Sequence, residues 1–283
     1  LNSRGFATEK QLRVRIASVG NIKKITSAMK MVAAAKLRGA QDALDVARVF
    51  AAPTAGVWSP PALEMDENTK VTFASMTSDR GLCGSVNSQI SRKVRDDILA
   101  STLPRENIGV MTIGDKGKQA LARVFGSQFQ ANVSEIFQSR PTFSTASAVA
   151  QDLLSLEFDQ CNIAYNEFVN VLRFECAETK IAAFEKMDTE AEELQPYELE
   201  GESELLRNFH EYNVASTIFL YLREGEASEH SSRMNAMGNS SKNAGEMLEA
   251  LELQYNRKRQ ARITTELIEI ISGAVALEDQ ADC

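Results

Sequence analysis

Two short segments with paired glycines carry residue types that could bind a phosphate group. They are Ser78-Asp79-Arg80-Gly81-Leu82-Cys83-Gly84 and Gly114-Asp115-Lys116-Gly117-Lys118. Each follows a predicted strand and opens a predicted helix, where backbone N–H groups could bind an anion. Neither has the G-x-G-x-x-G pattern or the spacing and lysine of a P-loop. The first is better explained as a tight turn that needs glycine backbone angles, and the second as a helix start with Asp115 as the N-cap.

The cysteines and histidines give little support for catalysis or for a metal ion. Cys83 lies near a predicted helix N-terminus, where the helix dipole lowers a thiol pKa, but no histidine follows nearby to act as a base. Inert packing is therefore the favoured interpretation. His210 and His230 lie on one predicted helix without an H-E-x-x-H motif, and we expect them to be surface or structural residues. The four cysteines contain no C-x-x-C pair and only two histidines are present, so we expect no metal site.

A cationic segment near the C-terminus is more informative. Its sequence is Tyr255-Asn256-Arg257-Lys258-Arg259-Gln260-Ala261-Arg262. Three interpretations compete: binding of phosphate or nucleic acid, a solvated helix face, or donors held on a rigid helix to engage carboxylates of a partner protein. The net charge of −8 argues against nucleic acid as a main partner.

The run from Leu205 to Leu277, which contains this segment, predicts the longest element of the chain. No proline follows Pro196, and apolar residues recur at steps of three and four, as in one buried helical stripe. Charges in every turn exclude a membrane span, and roughly 70 helical residues would extend about 100 Å. Such a helix needs a partner along its length. The predicted stripe consists of Met247, Leu248, Leu251, Tyr255, Ile263, Leu267, Ile270, Ile271, Ala274 and Leu277.

A second long amphipathic helix is predicted from about Glu9 to Ala52, and it is the natural partner. Its exposed face is cationic, which indicates either a solvated face or a surface that meets an acidic partner. The predicted buried stripe is Leu12, Ile16, Val19, Ile22, Ile25, Met29, Val32, Ala33, Leu37, Ala40, Leu44 and Ala47. The cations are Arg13, Arg15, Lys23, Lys24, Lys30, Lys36 and Arg38.

Between the two helices, strand and helix patterns alternate, which is typical of a mainly parallel sheet covered by helices. The last two strands predict an antiparallel hairpin at one edge of the sheet. The predicted strands are Val71 to Met76, Ile108 to Ile113, Phe129 to Phe137, Cys161 to Val169 and Val171 to Phe184. The predicted helices are Ser85 to Leu99, Asp115 to Phe125 and Ser144 to Leu156.

The predicted fold class is therefore α/β plus a long antiparallel α-helical coiled coil. A Rossmann-like α/β domain, 66–195, is inserted between an N-terminal coiled-coil helix, 9–58, and a C-terminal coiled-coil helix, 203–281. Pairing the two helices buries both stripes, since a single amphipathic helix would be marginal in water. The expected shape is a rod with a small globe at one side.

Several segments, in order along nearly the whole chain, resemble the gamma subunits of F-type ATP synthases. The central one begins Ser-Asp-Arg-Gly-Leu-Cys-Gly, and the C-terminal one contains Tyr-Asn-Arg-Lys-Arg-Gln-Ala-Arg-Ile-Thr-Thr-Glu-Leu-Ile-Glu-Ile. The matching segments are Arg15 to Leu37, Ser78 to Asn87, Ser232 to Met237, Asn243-Ala244, Tyr255 to Ile270 and Gly273-Ala274.

The resemblance implies a rotor shaft, turned by the proton-driven ring of membrane c subunits inside a hexamer of alternating alpha and beta subunits. It also implies that the α/β domain lies against the delta and epsilon subunits and the c-ring. In the family no catalytic residue belongs to gamma, and nucleotides bind on alpha and beta. No cofactor, nucleic acid or membrane-spanning segment is expected.

The resemblance also assigns interface residues by position. Arg259, Gln260 and Thr264 match the helix residues that meet a loop of a beta subunit, and Met29 and Lys30 match the segment that faces an acidic part of beta. The small-residue tip from Ser272 to Leu277 suits a narrow apolar sleeve. With this counterpart, the partner interpretation of the cationic faces is favoured over the solvated one.

Three further hypotheses follow from the sequence. The first residues, Leu-Asn-Ser-Arg-Gly-Phe-Ala-Thr, are typical of an organellar presequence remnant or of a frayed end. A remnant would place the protein at the matrix side of the mitochondrial inner membrane. Two other functions remain open: a coiled-coil scaffold or adaptor with an α/β binding module, and a nucleotide-binding enzyme built on the α/β domain.

Overall fold

The computed structural model describes residues 8–55, 57–58, 66–187, 194 and 202–281. The presequence-like start and most of the acidic connector between Glu185 and Glu204 lie outside these residues. The helices are α1 (Glu9–Ala55), α2 (Val86–Ala100), α3 (Asp115–Leu121), α4 (Phe143–Leu154) and α5 (Glu202–Ala281). The strands are β1 (Val71–Met76), β2 (Ile108–Ile113), β3 (Phe129–Val133), β4 (Gln160–Asn170) and β5 (Arg173–Ala182).

The five strands form one sheet in the order β3-β2-β1-β4-β5. The first four are parallel, and β4 and β5 pair antiparallel at the edge, as the sequence predicts. Every residue of β1 and β2 is buried, because helices cover both faces of the sheet. Alternate side chains reach opposite faces: Phe73 packs with α2, and Ala74 packs with α4 and α5. The predicted α/β class and hairpin are confirmed.

Two predicted element ends and one predicted helix cap are wrong. The third strand ends at Val133 rather than Phe137, since Glu135 has a φ of +66° and leaves the extended conformation. The helix after β2 ends at Leu121 rather than Phe125. The N-cap of this helix is Gly114, and Asp115 is its first helical residue. The prediction that Asp115 is the N-cap is therefore wrong.

The chain forms two compact units. Met31–Ala236 contains the sheet, together with parts of α1 and α5. The described residues up to Lys30 and from Met237 onward form the other unit, a pair of helical segments. The predicted division at 9–58, 66–195 and 203–281 stays a prediction.

Within the helical pair, α1 and α5 run antiparallel, as predicted. Arg262 pairs with Glu9 at 2.8 Å, and Lys30 lies beside Gly238. Residue numbers therefore fall along α5 as they rise along α1. Gly238 lies inside an uninterrupted helix, and an added Cβ there would be at van der Waals distance from the Lys30 stem, 3.6 Å away.

The buried stripe of α1 agrees with the predicted one at nine of its twelve positions, including Leu12 and Ala33. The exceptions are Ile22, Ile25 and Val32, which are more than half exposed. Thr26, which was not predicted to belong to the stripe, is buried. Three large apolar side chains of α1 are therefore left on the surface of the described chain. The predicted stripe is wrong at these three positions.

Replacing Gly20 by alanine is expected to stabilise the protein by about 1 kcal/mol, because alanine restricts the unfolded chain and favours helix. An added Cβ at Gly20 would meet nothing within 4 Å. The midpoint of urea unfolding followed by far-ultraviolet circular dichroism measures the change. Gly39→Ala is the matched control: its Cβ would lie 2.5 Å from Nη2 of Arg140, so displacement of Arg140 offsets the gain. Equal gains for both variants would contradict this explanation.

Candidate functional site

The exposed surface of the paired helices carries the residues that the sequence analysis assigned to an interface. Arg259, Gln260 and Thr264 lie exposed on α5, and the Thr264 hydroxyl donates a 2.9 Å hydrogen bond to the Gln260 carbonyl. Within the described residues, the side chains of Arg259 and Gln260 form no ion pair or hydrogen bond with the rest of the chain. These side chains are available to a partner.

Met29 and Lys30 form a separate part of this surface. Met29 is half-buried in the helix pair, and Lys30 is exposed with its stem beside Gly238. Because Gly238 and Arg259 belong to the same uninterrupted helix, the helix rise places these two parts about 30 Å apart. The structure thus does not bring the predicted residues together at one point. A partner protein that contacted both parts of this surface would have to extend along the helix pair.

The helix pairing stops at the Arg262–Glu9 ion pair, and α5 continues beyond it. Every described side chain from 261 to 274 is exposed. The large apolar members, Ile263, Leu267, Ile268, Ile270 and Ile271, are between 51% and 69% exposed. Four of these, all except Ile268, were predicted to belong to a buried stripe, which is wrong because each of these side chains is more than half exposed. Large apolar side chains exposed close together on one helical segment are typical of a protein interaction site.

The two glycine segments are occupied by the chain's own packing. The Asp79 carboxylate accepts hydrogen bonds from the backbone N–H groups of Asp115, Glu135 and Phe137 at 3.0–3.2 Å. Donors that a phosphate would need at this end of the sheet are therefore already used. Gly114 has a φ of +98°, and an added Cβ would lie 2.1 Å from the Thr77 carbonyl oxygen. Gly84 in the first segment also has a positive φ, of +63°, which agrees with the explanation of that segment as a tight turn. The second segment is a helix start as predicted, with Gly114 rather than Asp115 as the N-cap.

The surroundings of the cysteine and histidine candidates favour a structural role over a catalytic one. Cys83 is buried, and burial is the main cause of its raised pKa, which disfavours the thiolate. His210 is buried against Trp58 and Phe184, so it is not at the surface, and burial lowers its pKa. His230 is partly buried, and its pKa falls to about 4 because of burial and three nearby cations. Among the described residues, no cluster of candidate ligands could hold a metal ion.

A belt of buried polar side chains on α5, which sequence reasoning missed, fixes this helix to the sheet. We call it the α5 polar belt. Its best-defined contact is Glu224, whose carboxylate accepts from the Arg48 guanidinium at 2.7 and 3.1 Å and from the Phe168 N–H at 2.7 Å. Arg48 also donates to the Phe168 carbonyl at 2.7 Å. The belt comprises Arg223, Glu224, Glu226, Glu229, Ser231, Ser232 and Arg233.

The belt joins distant segments, and for this reason no spacing in the sequence reveals it. Arg48 lies on α1 and Phe168 on β4, so one carboxylate holds two other elements. Further along α5, the Ser231 hydroxyl donates to the Val171 carbonyl in the β4–β5 turn. The only available signal was charged residues on a helix face that must be buried against the sheet.

None of the described helices is long and apolar enough to cross a membrane.

Comparisons with known proteins agree over nearly the full length. The family model described as "ATP synthase" matches residues 8–277. The rat protein named "ATP synthase F(1) complex subunit gamma, mitochondrial" is 39% identical over 275 residues, covering 96% of this chain and 100% of that protein. The "ATP synthase gamma chain" of Fuscovulum blasticum is 40% identical over 285 residues, covering 95% and 99%.

Chains from solved ATP synthase structures have a similar fold. A chain from the Tetrahymena thermophila mitochondrial ATP synthase central stalk and c-ring has a TM-score of 0.65 at 31% identity, covering 77% of this chain and 99% of that chain. A chain from the Euglena gracilis mitochondrial ATP synthase has a TM-score of 0.81 at 20% identity, covering 97% and 96%. At that lower identity the likeness concerns the fold alone.

Proposed function

Because this chain belongs to the family of ATP synthase gamma subunits, we propose that it is the central rotor shaft of such a complex. It couples proton-driven rotation of the membrane c-ring to conformational cycling, and hence ATP synthesis, in the hexamer of alpha and beta subunits. The paired ends of α1 and α5 engage the hexamer, and the α/β segment engages the delta and epsilon subunits and the c-ring. The three-part division at 9–58, 66–195 and 203–281 belongs to this proposal.

The observation that carries the proposal is the exposed segment of α5 from 263 to 274. From 263 to 274 it presents isoleucine and leucine side chains on several faces and has no partner in the described chain. Large apolar side chains are stable on a lone helix only when another protein surrounds them. An apolar sleeve of six subunits provides such surroundings and also lets the helix turn, since apolar contacts are not directional.

The polar contacts supply the angular information that a smooth sleeve lacks. Arg259, Gln260 and Thr264 lie at one height of the shaft, and Met29 and Lys30 at another. A shaft with such features on part of its circumference touches three equivalent catalytic subunits differently. Driving a site from 1:99 to 99:1 requires roughly 5.5 kcal/mol of differential binding. Hydrogen bonds to charged groups contribute about 1.5–3 kcal/mol each, so a few contacts suffice.

The coupling is reciprocal by thermodynamic necessity. If shaft angle changes the nucleotide affinity of a catalytic site, nucleotide binding changes the preferred shaft angle by the same free energy. Hydrolysis of ATP in the hexamer therefore turns the shaft, and turning the shaft drives synthesis. The chain itself needs only stiffness and a surface that is not symmetric.

The subunit is proposed to be non-catalytic. The Asp79 carboxylate uses the backbone donors at the end of the sheet, and the pKa of buried Cys83 is raised rather than lowered. Purified chain without alpha and beta subunits is expected to hydrolyse no ATP, as measured by phosphate release. Turnover that persists after removal of contaminating hexamer would contradict this part of the proposal.

The location follows from the relatives. The rat and Drosophila melanogaster proteins, each 39% identical to this chain, are named as mitochondrial gamma subunits. This chain belongs to the ATP synthase at the matrix side of the mitochondrial inner membrane. It is attached there through its partners.

Replacing Arg259 and Gln260 together by alanine is expected to weaken assembly with the alpha–beta hexamer, or the coupling of hydrolysis to proton transport, by about tenfold. The variant removes donors that no described residue of the chain uses, and one lost hydrogen bond to a charged group accounts for that factor. The measurement is titration of the variant into alpha and beta subunits, followed by ATP-driven proton uptake in vesicles.

Lys242→Ala is the matched control, since it removes an equally exposed cation from α5 and only a 3.9 Å surface pair with Glu246. Its effect should stay within about twofold of the unsubstituted chain, as expected for an exposed pair. If the unsubstituted chain itself fails to assemble with alpha and beta subunits, the rotor proposal is wrong and a scaffold function is favoured. If the double variant and the control behave alike, the two interface residues are wrongly assigned but the rotor proposal stands.

A further inference from the structure

The segment from Ser78 to Gly84 contacts three separate parts of the fold. On one side, the Asp79 carboxylate accepts from the N–H of Asp115 at the start of α3, at 3.2 Å. It also accepts from the N–H groups of Glu135 and Phe137 after β3, at 3.2 and 3.0 Å. One side chain therefore ties the ends of β1, β2 and β3 together.

On its other side, the same segment is fixed to α5. The Ser232 hydroxyl donates to the Cys83 carbonyl at 2.6 Å, and the Arg233 guanidinium donates to the Gly81 carbonyl at 3.3 Å. Gly84 has a φ of +63°, and an added Cβ would lie 2.8 Å from the Ser232 hydroxyl oxygen. The close approach of loop and helix therefore requires glycine here.

The segment after β3 also reaches the long helices. Arg140 lies 3.7 Å from Glu226 on α5, and its Nη2 atom lies against the backbone of Gly39 on α1. The Phe137 ring is beside Gly225 of α5, 3.8 Å from where a Cβ would be. Asp79 therefore closes a continuous path of contacts from α5, through two loops, back to α1 and α5.

We propose that Asp79 is a positioning residue that transmits torque between the α/β sheet and the α5 helix. The inference rests on the proposed rotor function. Turning a shaft against a load shears the contacts between the sheet and α5, and the loop around Asp79 has hydrogen bonds on both sides of that plane. Without the carboxylate, the two loops separate from each other, and α5 is held on this side by fewer contacts. The subunit would still assemble, but under load α5 would turn relative to the sheet, and that part of its rotation would not reach the c-ring.

The test uses Asp79→Ala and the milder Asp79→Asn in the fully assembled complex. Amide hydrogen exchange at Asp115, Glu135 and Phe137 is expected to rise at least about tenfold in Asp79→Ala, since each amide loses a charged acceptor. In vesicles, ATP hydrolysis should stay within about twofold of the unsubstituted complex. Proton uptake per ATP should fall by at least about twofold, and the loss should grow as the opposing proton gradient rises.

Asp152→Ala is the matched control, because the Asp152 side chain is exposed on α4 and forms no hydrogen bond or ion pair with another described residue. A purely structural role would lower hydrolysis and pumping together, in proportion to the amount of assembled complex, and would overturn the inference. Full pumping per ATP in a complex whose three amides exchange rapidly would overturn it as well. If Asp79→Ala does not fold, Asp79→Asn carries the same comparison. Failure of the unsubstituted chain to couple would instead contradict the rotor function.

Discussion

Replacing Glu224 by alanine is expected to lower the free energy of unfolding by about 3 kcal/mol. The carboxylate is buried and accepts from both the Arg48 side chain and the Phe168 N–H. Breaking a buried ion pair by removing one partner costs about 3–5 kcal/mol. The lower end applies because the Arg48 side chain is 41% exposed and can turn toward water. The unpaired Phe168 N–H accounts for much of the rest.

Urea unfolding followed by tryptophan fluorescence measures this change. Trp58 is the only tryptophan of the chain, it is 1% exposed, and it belongs to the same unit as Glu224. Glu224→Gln should lose roughly half as much, since its amide oxygen can still accept from one donor. Glu246→Ala is the surface control, with an expected loss below about 0.5 kcal/mol. Similar losses of unfolding free energy for Glu224→Ala and Glu246→Ala would show that the buried Glu224 contacts stabilise the protein no more than an exposed ion pair does.

Lowering the pH from 6.5 to 4 is expected to remove about 3 kcal/mol of stability through His230 alone. Burial is the main cause of its low pKa of about 4, and Arg233, Lys36 and Arg140 add repulsion. The unfolded chain takes up a proton near pH 6.5, whereas the folded chain does so only near 4. The contribution of His230 to the free energy of unfolding is therefore nearly constant above pH 6.5. Between pH 6.5 and pH 4 it falls by about 1.4 kcal/mol per pH unit.

The contacts of His230 explain why its neutral form is kept. The Arg233 guanidinium lies 3.3 Å from Nδ1, and since arginine can only donate, the neutral ring accepts there. Lys36 from α1 and Arg140 from the loop after β3 line the same pocket, of about 150 Å³, together with Glu226 and Glu229. Burial raises the pKa of Glu229, which gives an opposite pH dependence of stability. The two effects must therefore be separated by substitution.

His230→Gln isolates the histidine contribution. The variant and the unsubstituted chain should have similar stability at pH 7, and the variant should be more stable by about 3 kcal/mol at pH 4. Fluorescence-detected urea unfolding at half-unit pH intervals gives both curves. Parallel curves for the two proteins would show that His230 takes up its proton equally well in the folded and unfolded states.

Most of the sheet could be predicted from sequence, because its signals are local. The strands β1 and β2 have the predicted bounds, since both are short apolar runs between turn residues. The edges of β3 and α3 could not be predicted in the same way. Glu135 adopts a positive φ, and its N–H group binds Asp79, a residue far away in sequence. Gly114 takes the cap position because only glycine fits against the Thr77 carbonyl.

The surface of the helix pair was predicted less well, for a different physical reason. An apolar residue at helical spacing signals burial, but it does not say in which chain the covering surface lies. Ile25, Ile263 and Leu267 illustrate this point: they have the predicted spacing, yet all three are more than half exposed. The resemblance to the gamma family predicted the two helices that pair, but helical spacing alone did not show which of their apolar residues the partner helix covers.

One consequence of the exposed segment of α5 concerns the life of a newly made copy before it finds its partners. Ile263, Leu267 and Ile271 meet water on a lone helix, which is the kind of surface that chaperones and proteases recognise. We therefore expect a copy without alpha and beta subunits to be degraded or to self-associate, so that its abundance follows the supply of those subunits. The same apolar side chains that bind the hexamer would thus limit the accumulation of unassembled subunit.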